Sequence, residues 1–405
     1  MYVLLFATCD TKGAEASWLK EQLGKLGVAA RIVDCGCLGA PTCEADVSRE
    51  EVFRAGGSSH AEQLAANDRG QAVNAAAAGA AKLALEALRR GELAGVLGIG
   101  GSAGTTIGTA AMRALPIGTP KLMVSTLASG DVRPYVGGKD ILMLCSVVDI
   151  AGLNRVSRKV LAQAAGAMAG MVTNSISLAT AAAGTTDRPL VAMTMFGVTT
   201  PCVEHAKGVL EEAGYEVLVF HATGSGGESF EVLARSGMLA GVLDITTTEL
   251  ADELCDGTLT AGPTRLTAAG ETGLPQVVSV GATDMVNFGP MASVPDRFKD
   301  RHFYEHNANV TLMRTTPEEC ARIGADIGRK LAAAQGPRAL ILPEKGVSAI
   351  DREGAPFDHP EARAALFSAI EAHRGDVPCT TLPLHINDPE FAEAAARALL
   401  ELLKS

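Results

Sequence analysis

The chain has 405 residues, 47% hydrophobic and 20% charged, with a formal net charge of −11 at pH 7. That acidic surplus argues against a nucleic-acid or anionic-membrane surface, and an aromatic content of 4% with one Trp leaves few platforms for stacking bases. The length suggests two domains, and the apolar share is enough for a large core.

The amino terminus, Met1-Tyr2-Val3-Leu4-Leu5-Phe6, enters a strand directly, without the basic segment and cleavage site of a secretion signal. No uninterrupted apolar run of membrane-spanning length occurs. Nine cysteines, an odd number, fit a reducing compartment, so a cytoplasmic location is expected. Cys35, Cys37 and Cys43 cluster, but no second ligand pair follows at zinc spacing, and no metal site is predicted.

Residues 3–7 read as a strand, 8–13 as a polar turn, 14–26 as a helix stopped by Gly27, and 29–34 as the next strand: a βαβ unit. Residues 35–67 read as irregular, with one short helical piece at 49–55. Residues 67–90 are Ala-rich and helical. A buried strand at 96–99 then breaks into Gly100, Gly101, Ser102, Ala103 and Gly104 before a helix at 105–113. A strand, a glycine turn and a helix start point backbone N–H groups at an anion, and glycine lets that anion approach closely. The spacing matches neither the dinucleotide fingerprint nor the P-loop. Further strands are expected at 121–125 and 140–146, and a small-residue helix ends near residue 183.

Residues 184–189, Gly-Thr-Thr-Asp-Arg-Pro, have linker chemistry, and the domain boundary is placed at 184/185. Strands follow at 190–195, 215–221, 240–245 and 276–280, with helices at 202–213 and 230–236. The last helix, 390–403, is capped by Asn387 or Asp388. The second half repeats the order of the first: Ala94-Gly95-Val96-Leu97 returns as Ala240-Gly241-Val242-Leu243. The fold class expected is α/β, with two Rossmann-like doubly wound parallel-sheet domains (1–184 and 185–405) related by internal duplication.

Three polar turns should meet at the carboxyl edge of the first sheet, where such folds bind ligands. They carry Asp10, Thr11 and Lys12; Gly100, Gly101, Ser102, Gly104 and Thr105; and Thr126, Ala128, Ser129, Gly130 and Asp131. Backbone amides would hold phosphates, Lys12 would supply a point charge, and Asp10 or Asp131 would reach a ribose or Mg²⁺. Arg69 is a weaker candidate. The plainer alternative is a set of ordinary βα turns. In the second domain, Glu249, Asp284 and His306 are the candidate catalytic groups, with His306 as a general acid or base paired with either carboxylate. Arg297 and Arg301 would face one anion if residues 296–307 were helical. The alternative there is a hydrogen-bonded clamp.

Several stretches carry a family resemblance: Asp10-Thr11-Lys12, then 94–105, 115–121, 125–130, 146–154, 244–249 and 284–289. Through them the chain resembles, over essentially its whole length, the family that includes the ATP-binding inhibitory domain of the tomato mosaic virus resistance protein. The resemblance implies ATP binding in the first domain and self-association into a homo-oligomer. It also implies that bacterial members lack the plant protein's further barrel-like domain, so nothing about viral inhibition carries over. The expectation is an ATP-binding cytoplasmic protein acting on a small anionic metabolite at a carboxy-terminal or interdomain cleft. The alternatives are a lyase, hydrolase or isomerase using Glu249, Asp284 and His306, and a non-catalytic oligomeric ligand sensor.

Overall fold

The computed structural model describes residues 1–182 and 187–404. The first part of the expected linker, residues 184–186, and the expected helix end at residue 183 lie outside the described residues. Two compact units are present, Met1–Thr185 and Thr186–Ser405.

The first unit runs β1 (Tyr2–Ala7), α1 (Cys9–Lys25), β2 (Ala30–Asp34), α2 (Arg49–Ala55), α3 (His60–Ala66), α4 (Arg69–Arg89), β3 (Leu93–Gly100), α5 (Ser102–Ala114), β4 (Lys121–Ser125), α6 (Arg133–Val136), β5 (Leu142–Cys145) and α7 (Arg155–Ala182). Its five strands are all parallel, in the order β2-β1-β3-β4-β5. Side chains alternate across a strand, so a strand covered on both faces needs an unbroken apolar run. In β1, Val3, Leu5 and Ala7 join the core formed with α1 and α7, while Leu4 and Phe6 join the core formed with α2, α4 and α5. In α4, Ala72, Ala76, Ala80 and Ala84 recur every four residues and are all buried. The stretch expected to be irregular holds α3 as well as α2, each opened by a serine capping box.

The second unit runs β6 (Leu190–Met195), α8 (Thr200–Glu212), β7 (Glu216–His221), α9 (Ser225–Ala234), β8 (Leu239–Thr246), α10 (Glu249–Cys255), α11 (Ala268–Thr272), β9 (Gln276–Gly281), β10 (Met285–Phe288), β11 (Phe303–Asn307), β12 (Val310–Arg314), α12 (Pro317–Ala333), β13 (Arg338–Pro343), α13 (Pro360–His373), β14 (Cys379–Leu382) and α14 (Pro389–Leu402). Six parallel strands lie in the order β14-β13-β9-β8-β6-β7, with α8 and α14 on one face and α12 and α13 on the other. A three-stranded antiparallel sheet, β10-β12-β11, is inserted after β9. Both parallel sheets are therefore Rossmann-like. In each, the order reverses between the first and third strands of the unit, which is the switch point where such sheets open a crevice.

The segment 296–307 is not a helix: it is a single 3₁₀ turn, Asp296–Phe298, followed by β11. The condition for Arg297 and Arg301 to share an anion is thus unmet. Arg297 pairs with Asp256 instead, and Arg301 forms a two-pronged pair with Glu319 at 2.9 and 2.6 Å. No helix among the described residues is long and apolar enough to cross a membrane.

Candidate functional site

At the switch point of the first sheet, the turns after β1 and β3 line a cavity of about 460 Å³. That is within the size range of small-molecule sites. After β3 come the cap Gly101 and the first helical residues Ser102, Ala103 and Gly104; after β1 come the cap Thr8 and Asp10, Thr11 and Lys12, which lie in the first turn of α1 and not in the polar turn expected at 8–13. Helix α5 begins there with Gly101 as its cap residue, so no side chain closes its end. Thr105 N already donates to the Gly101 carbonyl, which leaves Ser102, Ala103 and Gly104 as first-turn N–H groups with no intrahelical acceptor. The helix dipole adds partial positive charge at the same spot.

The glycines of this turn divide by role. A Cβ on Gly100 would lie 2.7 Å from Gly104 Cα, and one on Gly104 would lie 2.9 Å from the Ile99 carbonyl oxygen. These two let α5 press against β3. A Cβ on Gly101 would meet nothing closer than Thr126 Oγ1 at 3.6 Å. Packing does not demand a glycine at 101; what a side chain there would occupy is the cavity.

Two cations line the same cavity, Lys12 and Arg69, and neither has an ion-pair partner among the described residues. Lys12 sits at a break in α1, with φ −128° and ψ 17°. Arg69 opens α4, next to its cap Asp68, which accepts from Gln71 N at 3.0 Å. Asp149, from the segment after β5, also lines the cavity and is exposed. That segment is anchored by Gly152 N donating to the buried Glu15 carboxylate at 2.6 Å.

The remaining predicted residues serve the frame. Asp10 Oδ2 accepts from Gly39 N at 3.2 Å and, more weakly, from Leu38 N at 3.4 Å, holding a loop over the cavity. Thr105 is buried and bonds Ser125 Oγ at 2.7 Å, tying α5 to β4. Thr126 stands beside Gly101, but Ala128, Ser129, Gly130 and Asp131 lie outside the cavity lining. Asp131 accepts from Arg133 N at 3.0 Å, within its own turn. The sequence reading passed over Cys37, Leu38, Gly39 and Asp149, all of which line the cavity. For Asp149, its place just past the carboxyl end of β5 was the signal available.

In the second unit the three candidate catalytic residues are not brought together. Glu249 is fully buried: Oε2 accepts from Arg265 Nε at 2.6 Å, and Oε1 from Gly224 N and Gly227 N at 2.7 and 3.0 Å. Burial pushes its carboxyl above its ordinary value, against the pull of Arg265. Arg265 is 0% exposed and also grips Asp244 through two bonds, at 2.5 and 2.8 Å, and Glu231 at 3.3 Å. Asp284 is buried elsewhere, accepting from Ser348 Oγ at 2.8 Å, and its other oxygen has no partner. Burial first, and then the charge of Asp351, push its carboxyl up. His306 is exposed on β11. No hydrogen bond or ion pair joins His306 to Glu249 or Asp284 among the described residues. The nine cysteines are free thiols, and no group of three His, Cys, Asp or Glu suited to a metal occurs among the described residues.

Two family models match the chain. Residues 1–177 match the amino-terminal domain of the uncharacterised protein family UPF0261, and residues 188–403 match its carboxy-terminal domain. The chain is 48% identical over 404 residues to a UPF0261 protein of Clostridium tetani, covering 99% of each. It is 49% identical over 400 residues to one of Mesorhizobium japonicum, covering 98% of each. It is also 47% identical over 313 residues to the ToMV resistance protein Tm-1(GCR237) of Solanum lycopersicum, covering 76% of this chain and 42% of that protein.

Proposed function

We propose that this chain, which belongs to the uncharacterised protein family UPF0261 over both its domains, binds an adenine nucleotide, ATP, in the cavity between the β1 and β3 turns. One observation carries the reading: an uncapped thirteen-residue helix opens onto the cavity through a glycine that packing does not require. Its free N–H groups suit phosphate oxygens, which would otherwise have to be stripped of water without compensation. Lys12 and Arg69 supply the countercharge on a protein whose net charge of −11 would otherwise repel an anion. Asp149 is the exposed carboxylate in the lining that could meet a Mg²⁺ carried by the phosphates. The adenine assignment rests on the resemblance of 94–105 and the other quoted stretches to the ATP-binding family. Self-association into a homo-oligomer is proposed on the same ground.

Calorimetric titration tests this. ATP should bind the wild-type chain, and Gly101→Val should abolish binding while leaving the thermal unfolding midpoint within a degree or two. Binding that survives Gly101→Val, or no heat from ATP with Mg²⁺ at millimolar concentration, would overturn the reading. Light scattering with and without ATP tests the oligomer.

A further inference from the structure

Strand β5 is the edge of the first sheet, two strands away from β3, yet Asp149, just beyond its end, lines the cavity at the β1/β3 switch point. Neighbouring strands lie about 4.8 Å apart, so the chain must double back across roughly 10 Å to get there. Its path is pinned at both ends. Ser146 N donates to the Ser125 carbonyl, at the end of β4, at 3.1 Å, and Gly152 N donates to Glu15 on α1 at 2.6 Å. Ile150, between them, is buried in the core formed with α1 and α7.

The reversal is made at Val147. Val148 N donates back to the Ser146 carbonyl at 2.7 Å, across Val147, whose φ is +66°. A hydrogen bond closed over one residue of positive φ is the strained form of the γ-turn. Of the five non-glycine residues with positive φ among the described residues, Val147 is the β-branched one. Leu266 and Ala282 are buried, so packing holds them in place, whereas Val147 is 72% exposed. The other positive-φ position in this segment, Gly152, is a glycine. The strain at Val147 is therefore held by the two anchors, and what it secures is the entry of Asp149 into the cavity.

Four charged side chains line that cavity: Asp10, Lys12, Arg69 and Asp149. Asp10 is spent on the Leu38 and Gly39 amides. Lys12, Arg69 and Asp149 make no ion pair with one another or with any other described residue. A bare phosphate would be drawn by the two cations and repelled by the carboxylate. A phosphate carrying a divalent cation satisfies all three, its oxygens meeting Lys12 and Arg69 and its cation meeting Asp149. One free carboxylate suits Mg²⁺, which is held by one or two carboxylates together with phosphate oxygens and water. No group of three His, Cys, Asp or Glu forms a cage among the described residues, so the cation arrives with the phosphates.

We infer that Asp149 receives the divalent cation of a metal–polyphosphate, and that the strained turn at Val147 is what positions it. The identity of the polyphosphate as a nucleotide rests on the function proposed above.

Calorimetry on the full chain tests this with ATP and, as a probe without a base, inorganic tripolyphosphate, each titrated in EDTA and in excess Mg²⁺. Wild type should bind either probe at least tenfold tighter with Mg²⁺. Asp149→Asn should lose that gain yet bind the metal-free probe as tightly as wild type or tighter, because the repelling carboxylate is gone. Val147→Pro, which fixes φ at about −65° and gives up no hydrogen bond, should also lose the gain and keep metal-free binding. Val147→Asn accepts a positive φ, so it should keep the gain and raise the unfolding midpoint. Should Val147→Pro unfold the chain, Asp149→Asn and Val147→Asn decide. No Mg²⁺ gain in wild type, a full gain in Asp149→Asn, or equal losses for Asp149→Asn in both buffers would overturn the cation assignment. A full gain in Val147→Pro, or a lowered midpoint in Val147→Asn, would overturn the role of the turn. Tripolyphosphate bound with the Mg²⁺ gain, but no ATP bound, would count against the nucleotide reading alone; neither probe bound in either buffer would overturn both.

Discussion

The two parallel sheets share a strand order, yet their carboxyl ends handle charge in opposite ways. At the first, a helix end is left uncapped, and Lys12 and Arg69 line a cavity without described ionic partners. At the second, the equivalent donors are spent within the protein itself. Arg265, fully buried, is surrounded by Asp244, Glu231 and Glu249, and the Gly224 and Gly227 amides are spent on Glu249. A crevice whose donors are already satisfied has little left to offer a ligand; one whose donors are orphaned does. Sheet topology sets where a site can be, and the local accounting of polar groups decides whether it is one.

The comparison breaks most readily at Arg265. Arg265→Met leaves three buried carboxylates without their cation and should cost about 3–5 kcal/mol in urea unfolding. A cost under about 1 kcal/mol would mean that the network is not structural and that the donors at the second crevice are free after all.

Next in size is a pH dependence confined to the second unit. Asp252 is fully buried, and burial pushes its carboxyl up to about 7, against hydrogen bonds from Asn287 and Leu259. A carboxyl raised in the folded state contributes its full stability below its ordinary value of 3.8 and loses it as pH climbs through about 7. Wild type should therefore lose about 1.4 kcal/mol per pH unit across that window relative to Asp252→Asn. The Asn variant can keep the side-chain contact if the Asn287 amide turns its unpartnered oxygen inward. Parallel stability curves for the two proteins from pH 4 to 7 would refute this.

Within the first unit, Gly100→Ala should cost about 1–3 kcal/mol by forcing α5 off β3. Gly101→Ala should change stability by less than about 0.5 kcal/mol. Denaturant midpoints measured side by side sharpen the distinction between a packing glycine and a ligand glycine. Lys12→Ala should weaken ATP about tenfold, or ~1.4 kcal/mol, with stability unchanged. A titration showing equal ATP affinity would remove Lys12 from the site.

Much of the parallel-sheet framework was legible residue by residue. The apolar runs of β1, β3, β6 and β8 are buried on both faces, and Gly27 and the Asp388-Pro389 pair mark helix ends in ways chemistry allows to be read locally. The antiparallel insert was not legible. β11 reads Phe-Tyr-Glu-His-Asn, half exposed, and its pairing with β12 depends on a turn rather than on a buried run. Arg265 carries no local signal at all: its partners lie 16, 21 and 34 residues away. The same is true of the Leu38–Gly39 wall, which is held by Asp10, 28 and 29 residues upstream.

The sequence by itself determined the class of fold, the glycine turn after β3 and the cluster of polar residues at strand ends, because backbone freedom and strand burial are properties of neighbouring residues. Only the tertiary structure decided which of those polar residues are spent on one another and which are left facing a cavity. Hydrogen bonds and ion pairs are settled between chain segments far apart in sequence, and a carboxylate reads the same in the sequence whether an arginine has already claimed it or not.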